Sequence, residues 1–332
     1  MFNHIKQSTQ QLISLSHQPS TPGSKPKVLL GLSGGPDSVF LLHVLKILAD
    51  ENNIELCAAH LDHEWRANSH EDAIFCQELC NRLEVKIYVE QTRNLELSHK
   101  PNGSQEELGR KMRRAFFETI AQEHAINFIA LAHHLQDQQE TFFMRLIRGT
   151  TLDGLTCMKP VDGLYVRPLL NINKQDMLQH LDNQNISYLH DPTNLSDDYL
   201  RNRIRKYVLP ALNSCDERFD KKFETTIQSL REENDFLGNL VHDIFINIFT
   251  FDQTHQRFLG NLAAFRAFDL VLKKRVIVWW LIQEKVSFSP STGHIEEILR
   301  FLMSPHGGSH QLGTAWQLCK QQKLFWIEKF SD

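Results

Sequence analysis

The sequence lacks any apolar stretch long enough to cross a bilayer. Its longest runs, near residues 28–32 and 276–282, fall well short of the ~20 residues a spanning helix needs, so no membrane role is expected. It also lacks a charged start leading into a long greasy core: the first 27 residues hold only a short apolar run at 12–15. A secretory signal is therefore not expected, and the cytoplasm is the default location. The six cysteines, at 57, 76, 80, 157, 215 and 319, include no CxxC pair and read as reduced core thiols. Positive charge is not in excess either, with 36 Lys+Arg against 40 Asp+Glu. That balance excludes holding nucleic acid by a global field and leaves local basic patches for the task. Among 17 histidines, neither His133-His134 nor the Gly-rich turn from His306 to His310 has third and fourth partners at finger-like spacing. No fixed-period repeat, low-complexity tract or heptad pattern is present.

Length points to two domains, because 332 residues exceed what one hydrophobic core usually organises. Residues 1–27 read as a polar leading segment ending in the breaker-rich run Ser20-Thr21-Pro22-Gly23-Ser24-Lys25-Pro26. From residue 28 strands and helices alternate. The run Val28-Leu29-Leu30-Gly31-Leu32 predicts a strand buried on both faces, and residues 39–49 repeat apolar side chains at helical spacing. Further strands are predicted at 54–61, 85–89 and 127–132, with helices at 71–83, 104–123 and 136–147 and a βα extension at 165–183. The alternation predicts an α/β fold, a doubly wound, mostly parallel, Rossmann-like sheet. The divisions expected are 1–27, 28–215 and 216–332. The last is a smaller, mainly helical domain, with helices at 223–249, 263–284 and 295–301 and a hairpin near 311–327. Its Trp279-Trp280 pair and Phe245 with Phe249 read as core, and Lys273-Lys274-Arg275 as its most compact positive run.

The most informative segment is Leu32-Ser33-Gly34-Gly35-Pro36-Asp37-Ser38-Val39, between the first strand and the first helix of the series. It is neither a Walker loop nor a GxGxxG turn, yet it has the parts of an anion site. Gly34 and Gly35 let the backbone approach closely, Ser33 and Ser38 offer hydroxyls, and Pro36 can open a helix whose free N–H groups face the ligand. Asp37 would repel a polyphosphate unless Mg²⁺ bridged the two, so it hints at a metal nucleotide. Two later strands end in His60-Leu61-Asp62-His63 and Ala132-His133-His134-Leu135-Gln136-Asp137. In open α/β sheets, ligands bind at that carboxyl edge.

The SGGPDS loop resembles the signature of the PP-loop ATP pyrophosphatases, which split ATP between the α and β phosphates. Further segments resemble one family within them, the tRNA(Ile)-lysidine synthases: His60-Leu61-Asp62-His63, Ala132-His133-His134 with Asp137-Gln138 and Glu140-Thr141, Arg145-Leu146-Ile147-Arg148-Gly149, Arg167-Pro168-Leu169-Leu170, and Tyr199-Leu200-Arg201-Asn202-Arg203-Ile204-Arg205. The likeness runs from about residue 28 to 212. The chain departs from the family pattern at Gln136-Asp137, where two consecutive acids are usual, at Glu107-Leu108-Gly109-Arg110, and at His190. Residues 220–332 resemble the family's small helical domain loosely, and the further C-terminal domain of longer members is not expected in them.

The resemblance implies an enzyme that modifies the wobble cytidine of the tRNA(Ile) whose anticodon reads CAU. ATP would adenylate the C2 oxygen of that base, releasing pyrophosphate; the ε-amine of free L-lysine would then attack C2 and expel AMP. Such an amine, of pKa ~10.4, is neutral about once in 2,500 molecules at pH 7, a handicap of about 4.6 kcal/mol. Asp137 and Glu140, at i and i+3, would share one helix face. Asp137, with Asp62 as a second acid, is expected to hold the lysine ammonium or Mg²⁺. Ser33, Gly34, Gly35, Pro36, Asp37, Ser38, His60 and His133 are expected around ATP, with Asp37 as the Mg²⁺ ligand. Arg110, Arg113, Arg145, Arg148, Arg201, Arg203 and Arg205 fall on family motif positions and are expected to meet phosphates of ATP or tRNA. Lys111, Arg114 and Lys206 read as solvated faces. The alternatives are another PP-loop tRNA-modifying enzyme and a tRNA-binding protein without catalysis; the sequence allows a homodimer, though no motif marks one.

Overall fold

The computed structural model describes residues 2–16, 24–65, 68–94, 105–189, 199–288 and 290–330. His190, residues 191–194, and Ser20 to Gly23 of the leading segment lie outside the described residues. The chain divides into two compact units, residues 1–230 and 231–332.

In the first unit, α1 (Phe2–Ser16) precedes β1 (Lys27–Gly31), α2 (Pro36–Asp50), β2 (Glu55–Asp62), α3 (Ser69–Arg82), β3 (Lys86–Gln91), α4 (Gln105–His124), β4 (Phe128–Ala130) and α5 (Leu135–Arg148). After these come α6 (Leu152–Leu155), β5 (Val161–Asp162), β6 (Tyr165–Val166), α7 (Lys174–Asn183) and α8 (Leu200–Arg203). A π-helical turn (Ile204–Val208), α9 (Leu209–Cys215) and the start of α10 (Phe219–Ile248) complete it. The strand order is β3-β2-β1-β4-β6-β5. All pairings are parallel except that of β5 with β6.

The apolar run of β1 explains the layering. Val28 and Leu30 enter one core with Ile5, Ile13, Phe40, Leu41, Leu79 and Met177, whereas Leu29 enters the other with Phe116, Phe117, Ile120 and Tyr165. Helices α1, α2, α3 and α7 thus line one core and α4 the other, as period-two side chains between two helical layers require. Residues 2–16 of the expected leading segment are part of this core: Ile5 and Ile13 are buried, and Phe2 stacks on His180 and meets Phe40 edge-on. The compact division also falls later than the expected 215/216 boundary. Phe223, Ile227 and Leu230 pack with Leu135, Phe142 and Cys157, which ties the first turns of α10 to α5.

The second unit has α11 (Leu262–Ala267), α12 (Leu270–Gln283) and α13 (Thr292–Met303) beside the rest of α10. It adds an antiparallel sheet of β7 (Phe249–Asp252), β8 (Arg257–Asn261), β9 (Gly308–Leu312), β10 (Trp316–Gln321) and β11 (Leu324–Lys329), ordered β7-β8-β11-β10-β9. The helical reading of this region saw only the terminal hairpin. The helix expected at 263–284 is broken where Phe268 turns extended and Asp269 starts α12. Trp280, Phe245, Phe249 and Phe325 form the core there. A Cβ on Gly260 would overlap the Phe325 ring, so only glycine lets β8 lie against it. Five cysteines are buried as expected, but Cys215 is exposed at the end of α9.

Candidate active site

Strand order reverses at β1, which continues to β2 on one side and has β4 on the other. The loops leaving the carboxyl ends of β1 and β4 diverge there, opening a crevice of the kind that binds ligands in such sheets. The first wall is the Ser33–Ser38 loop. The Ser38 hydroxyl donates to Gly35 O at 2.9 Å, accepts from Ser33 N–H at 3.2 Å and lies 3.1 Å from the Ser33 hydroxyl. Gly34 has φ +81°, and a Cβ there would sit 2.6 Å from Leu189 Cδ1, so the bend needs glycine for conformation and for space. Gly35 is the N-cap of α2, with Pro36 opening the first turn. His60, expected near the nucleotide, supports the loop from beneath: its Nδ1 is 2.9 Å from Leu32 O. Burial pushes its pKa down.

The second wall is the start of α5. Asp137 Oδ2 accepts the His134 N–H at 3.0 Å, closing a capping box at the helix N-terminus. His134 Nε2 stands 3.5 Å from Asp37 Oδ2 and 3.5 Å from Asp137 Oδ2, so one imidazole joins the acids of the two walls. Lys174, at the start of α7, donates to Asp37 Oδ2 at 3.2 Å. Burial acts to raise the Asp37 pKa, but His134 and Lys174 outweigh it and hold the carboxyl below its ordinary range. Asp37 Oδ1 is buried without a hydrogen-bond partner. Asp137 is buried as well, and there too burial is the largest influence and acts upward. His134 and Arg201 override it and hold the group at about 2.

Glu140 is wholly buried one turn along α5 and faces two guanidinium groups. Arg201 reaches Glu140 Oε2 at 2.5 Å and Asp137 Oδ1 at 2.6 Å, and Arg205 reaches Glu140 Oε1 at 2.6 Å. These contacts bind α8 and the π-helical turn to α5. The α5 helix is fixed on other sides too: Gln138 exchanges hydrogen bonds with the Met158 backbone, and Gln139 and Asn173 both donate to Asp220. Gln136, where the family pattern has an acid, accepts the Lys174 N–H.

Of the expected site residues, the structure gathers Ser33, Gly34, Gly35, Pro36, Asp37, Ser38, Asp137, Glu140, Arg201 and Arg205 along the two walls. His133 lies in the β4 loop with Nδ1 buried and unpartnered, and burial brings its pKa down to about 4. Asp62, buried at the end of β2, accepts the Glu64 N–H at 2.8 Å. Arg145 donates to the carbonyls of Gly154 and Cys157. Arg110 and Arg113 are exposed on α4, Arg148 ends α5 exposed, and Arg203 is exposed on α8. Sequence reasoning missed His134 as the bridging group and Lys174 altogether. The signal for Lys174 was Asn173-Lys174 at a helix start, where Asn173 caps α7.

The PP-loop domain profile matches residues 3–212. The chain belongs to the PP-loop domain family. A second profile, the TilS substrate binding domain, matches residues 261–325, C-terminal to the PP-loop unit. The PP-loop chain is 34% identical over 279 residues to a tRNA(Ile)-lysidine synthase of Bacillus subtilis, covering 82% of this chain and 59% of that protein. It is 39% identical over 206 residues to one of Clostridium perfringens, covering 61% of this chain and 43% of that protein. It therefore spans well under two thirds of the length of these curated relatives. Among solved structures, the PP-loop fold is shared with a U34-tRNA thiolase of Methanococcus maripaludis at TM-score 0.56 and 17% identity, over 69% of this chain and 80% of that one. Among the described residues, no helix is long and apolar enough to cross a membrane.

Proposed function

We propose that this chain ligates free L-lysine to C2 of the wobble cytidine in the CAU anticodon of tRNA(Ile), consuming ATP and releasing pyrophosphate and AMP. The observation that carries the reading is the meeting of two unlike subsites in one crevice. An anion-binding loop at the start of α2 faces an ionised carboxylate, Asp137, across His134. Activation needs the first and an amine nucleophile needs the second. The similarity to tRNA(Ile)-lysidine synthases supports the choice of amine and base.

In this reading the Ser33–Ser38 loop and the first N–H groups of α2 hold the phosphates of ATP. The C2 oxygen of cytidine attacks the α-phosphorus and pyrophosphate leaves, which converts a poor leaving group into AMP. Mg²⁺, when bound, supplies neutralisation of phosphate charge. Asp37 fits it as the single protein ligand, since its Oδ1 is buried with no other partner and Mg²⁺ takes most of its ligands from phosphates and water. Asp137 receives the ε-ammonium of lysine, with Arg201 and Arg205 paired to Asp137 and Glu140 beside it. The amine then attacks C2, AMP departs, and the amine proton leaves with the AMP phosphate or to water, because Asp137 is held too acidic to keep it. Asp62, engaged with its own turn, stays outside this set. The C-terminal unit contributes tRNA contacts.

The test is incubation with labelled lysine, ATP and tRNA transcripts that differ only at the wobble base. Incorporation that requires ATP and the CAU anticodon is expected. ATP-independent binding of every tRNA, with no label incorporated, would overturn the proposal.

A further inference from the structure

Beside the crevice, Trp65 follows β2 with 45% of its surface exposed. Its indole stacks on the His63 ring, with centroids 4.5 Å apart and planes at 21°. The far edge of the indole lies against α4 at Gly109, where an added Cβ would overlap Cη2 and approach Cζ2. Glycine at this position is what lets the ring rest on the helix. His63 is enclosed: both ring nitrogens are buried without hydrogen-bond partners. Burial, aided by the charge of Arg113, pushes its pKa down to about 4. At neutral pH the pair is therefore an uncharged aromatic stack, seated on a helix and still open over nearly half of the tryptophan.

Charge surrounds it on one side. Arg113 is close enough to act on His63, and Arg110, next to Gly109, is close enough to act on both His133 and Arg167. Both arginines are exposed on α4, the helix that seats Trp65. An indole seated on a helix that also carries exposed guanidinium groups suits unpaired nucleobases, the ring taking the base and the cations the adjoining phosphates.

We propose that Trp65, seated on His63 and Gly109, is a stacking platform for an unpaired base of the RNA substrate, with Arg110 and Arg113 facing the neighbouring phosphates. The inference rests on the RNA-modifying reading above and adds a specific contact to it.

The experiment measures binding of the full chain to a labelled anticodon stem–loop RNA by fluorescence anisotropy, and to ATP in parallel. Trp65→Ala is expected to weaken RNA binding about tenfold, and Trp65→Phe to retain most of it. Gly109→Ala, which keeps the tryptophan but removes its seat, should reproduce the loss. ATP affinity and the unfolding midpoint of Trp65→Ala should stay at wild-type values. Stem–loops carrying one abasic loop nucleotide each should include one whose binding no longer depends on Trp65. Equal RNA affinity of wild type and Trp65→Ala would overturn the platform alone. A loss of ATP affinity in its place would assign the ring to adenine and overturn the proposal. Wild-type protein with no affinity for the stem–loop would overturn the RNA-modifying reading itself.

Discussion

Lys174 and Asp37 lie 137 positions apart in the chain and meet at 3.2 Å beside the glycine loop. A carboxylate next to the glycine turn is thereby paired with a cation that α7 brings from much later in the chain.

Lys174→Met should weaken ATP binding about tenfold or more, since a hydrogen bond to a charged group is worth ~1.5–3 kcal/mol. The unfolding free energy should move by less than ~1 kcal/mol, because the pair is partly exposed. Calorimetric titration with ATP and urea unfolding of the same variant separate the two effects. An unchanged ATP affinity would remove Lys174 from the site.

Glu140 is the acid that Arg201 and Arg205 share. Glu140→Gln removes the charge that Arg201 and Arg205 share, while Arg201 keeps its contact with Asp137, and a loss of ~1–3 kcal/mol in stability is expected. Adding Arg205→Met should recover part of it. Strictly additive losses in that double-variant cycle would show that the contact carries no coupling.

Stability should fall on acidification, in two stages. His133 and His63 sit at about 4 in the fold against an ordinary 6.5. Both are neutral when folded and take up protons when unfolded, so their contribution is whole above pH 6.5 and declines as pH falls toward 4. For His133 this is on the order of 3 kcal/mol, and for the partly exposed His63 solvent screening makes it smaller. Around His133, Arg167, Arg201 and Arg110 reinforce the effect of burial and Asp137 opposes it. Asp137, lowered from 3.8 to about 2, contributes fully above 3.8 and loses that contribution toward 2. Denaturant unfolding between pH 7 and 4 should show the first stage, with a shallower slope for His133→Asn. Identical slopes would mean that His133 titrates normally.

Burial on two faces writes itself into sequence as unbroken apolar runs, which is why Val28 to Leu30 and the strand–helix alternation after it were legible. The second unit was harder. The strands β7 and β8 are short and half-exposed, and β8 depends on Gly260 clearing a ring that arrives from β11. Of the site, the contiguous Ser33–Ser38 loop could be read directly, because its parts are neighbours in the chain. The partners of Arg201 and Arg205 could not. Their charge suggested phosphate, whereas the fold sets them against Asp137 and Glu140, and only the tertiary path of α8 decides that. His134 was passed over for its neighbour His133, and only the tertiary meeting of α2 with the start of α5 sets its imidazole between Asp37 and Asp137.

The placement of the crevice between adjacent central strands has a mechanical corollary. Hydrogen-bonded neighbours in a sheet stand ~4.8 Å apart, and β1 and β4 are such neighbours, clamped on both outer sides by further strands. The gap across which the loop of Ser33 faces the turn of His134 is thus set by a backbone spacing that side-chain substitution scarcely alters. Drift in the surrounding sequence can change the lining of the cleft while the separation of its two walls stays the same.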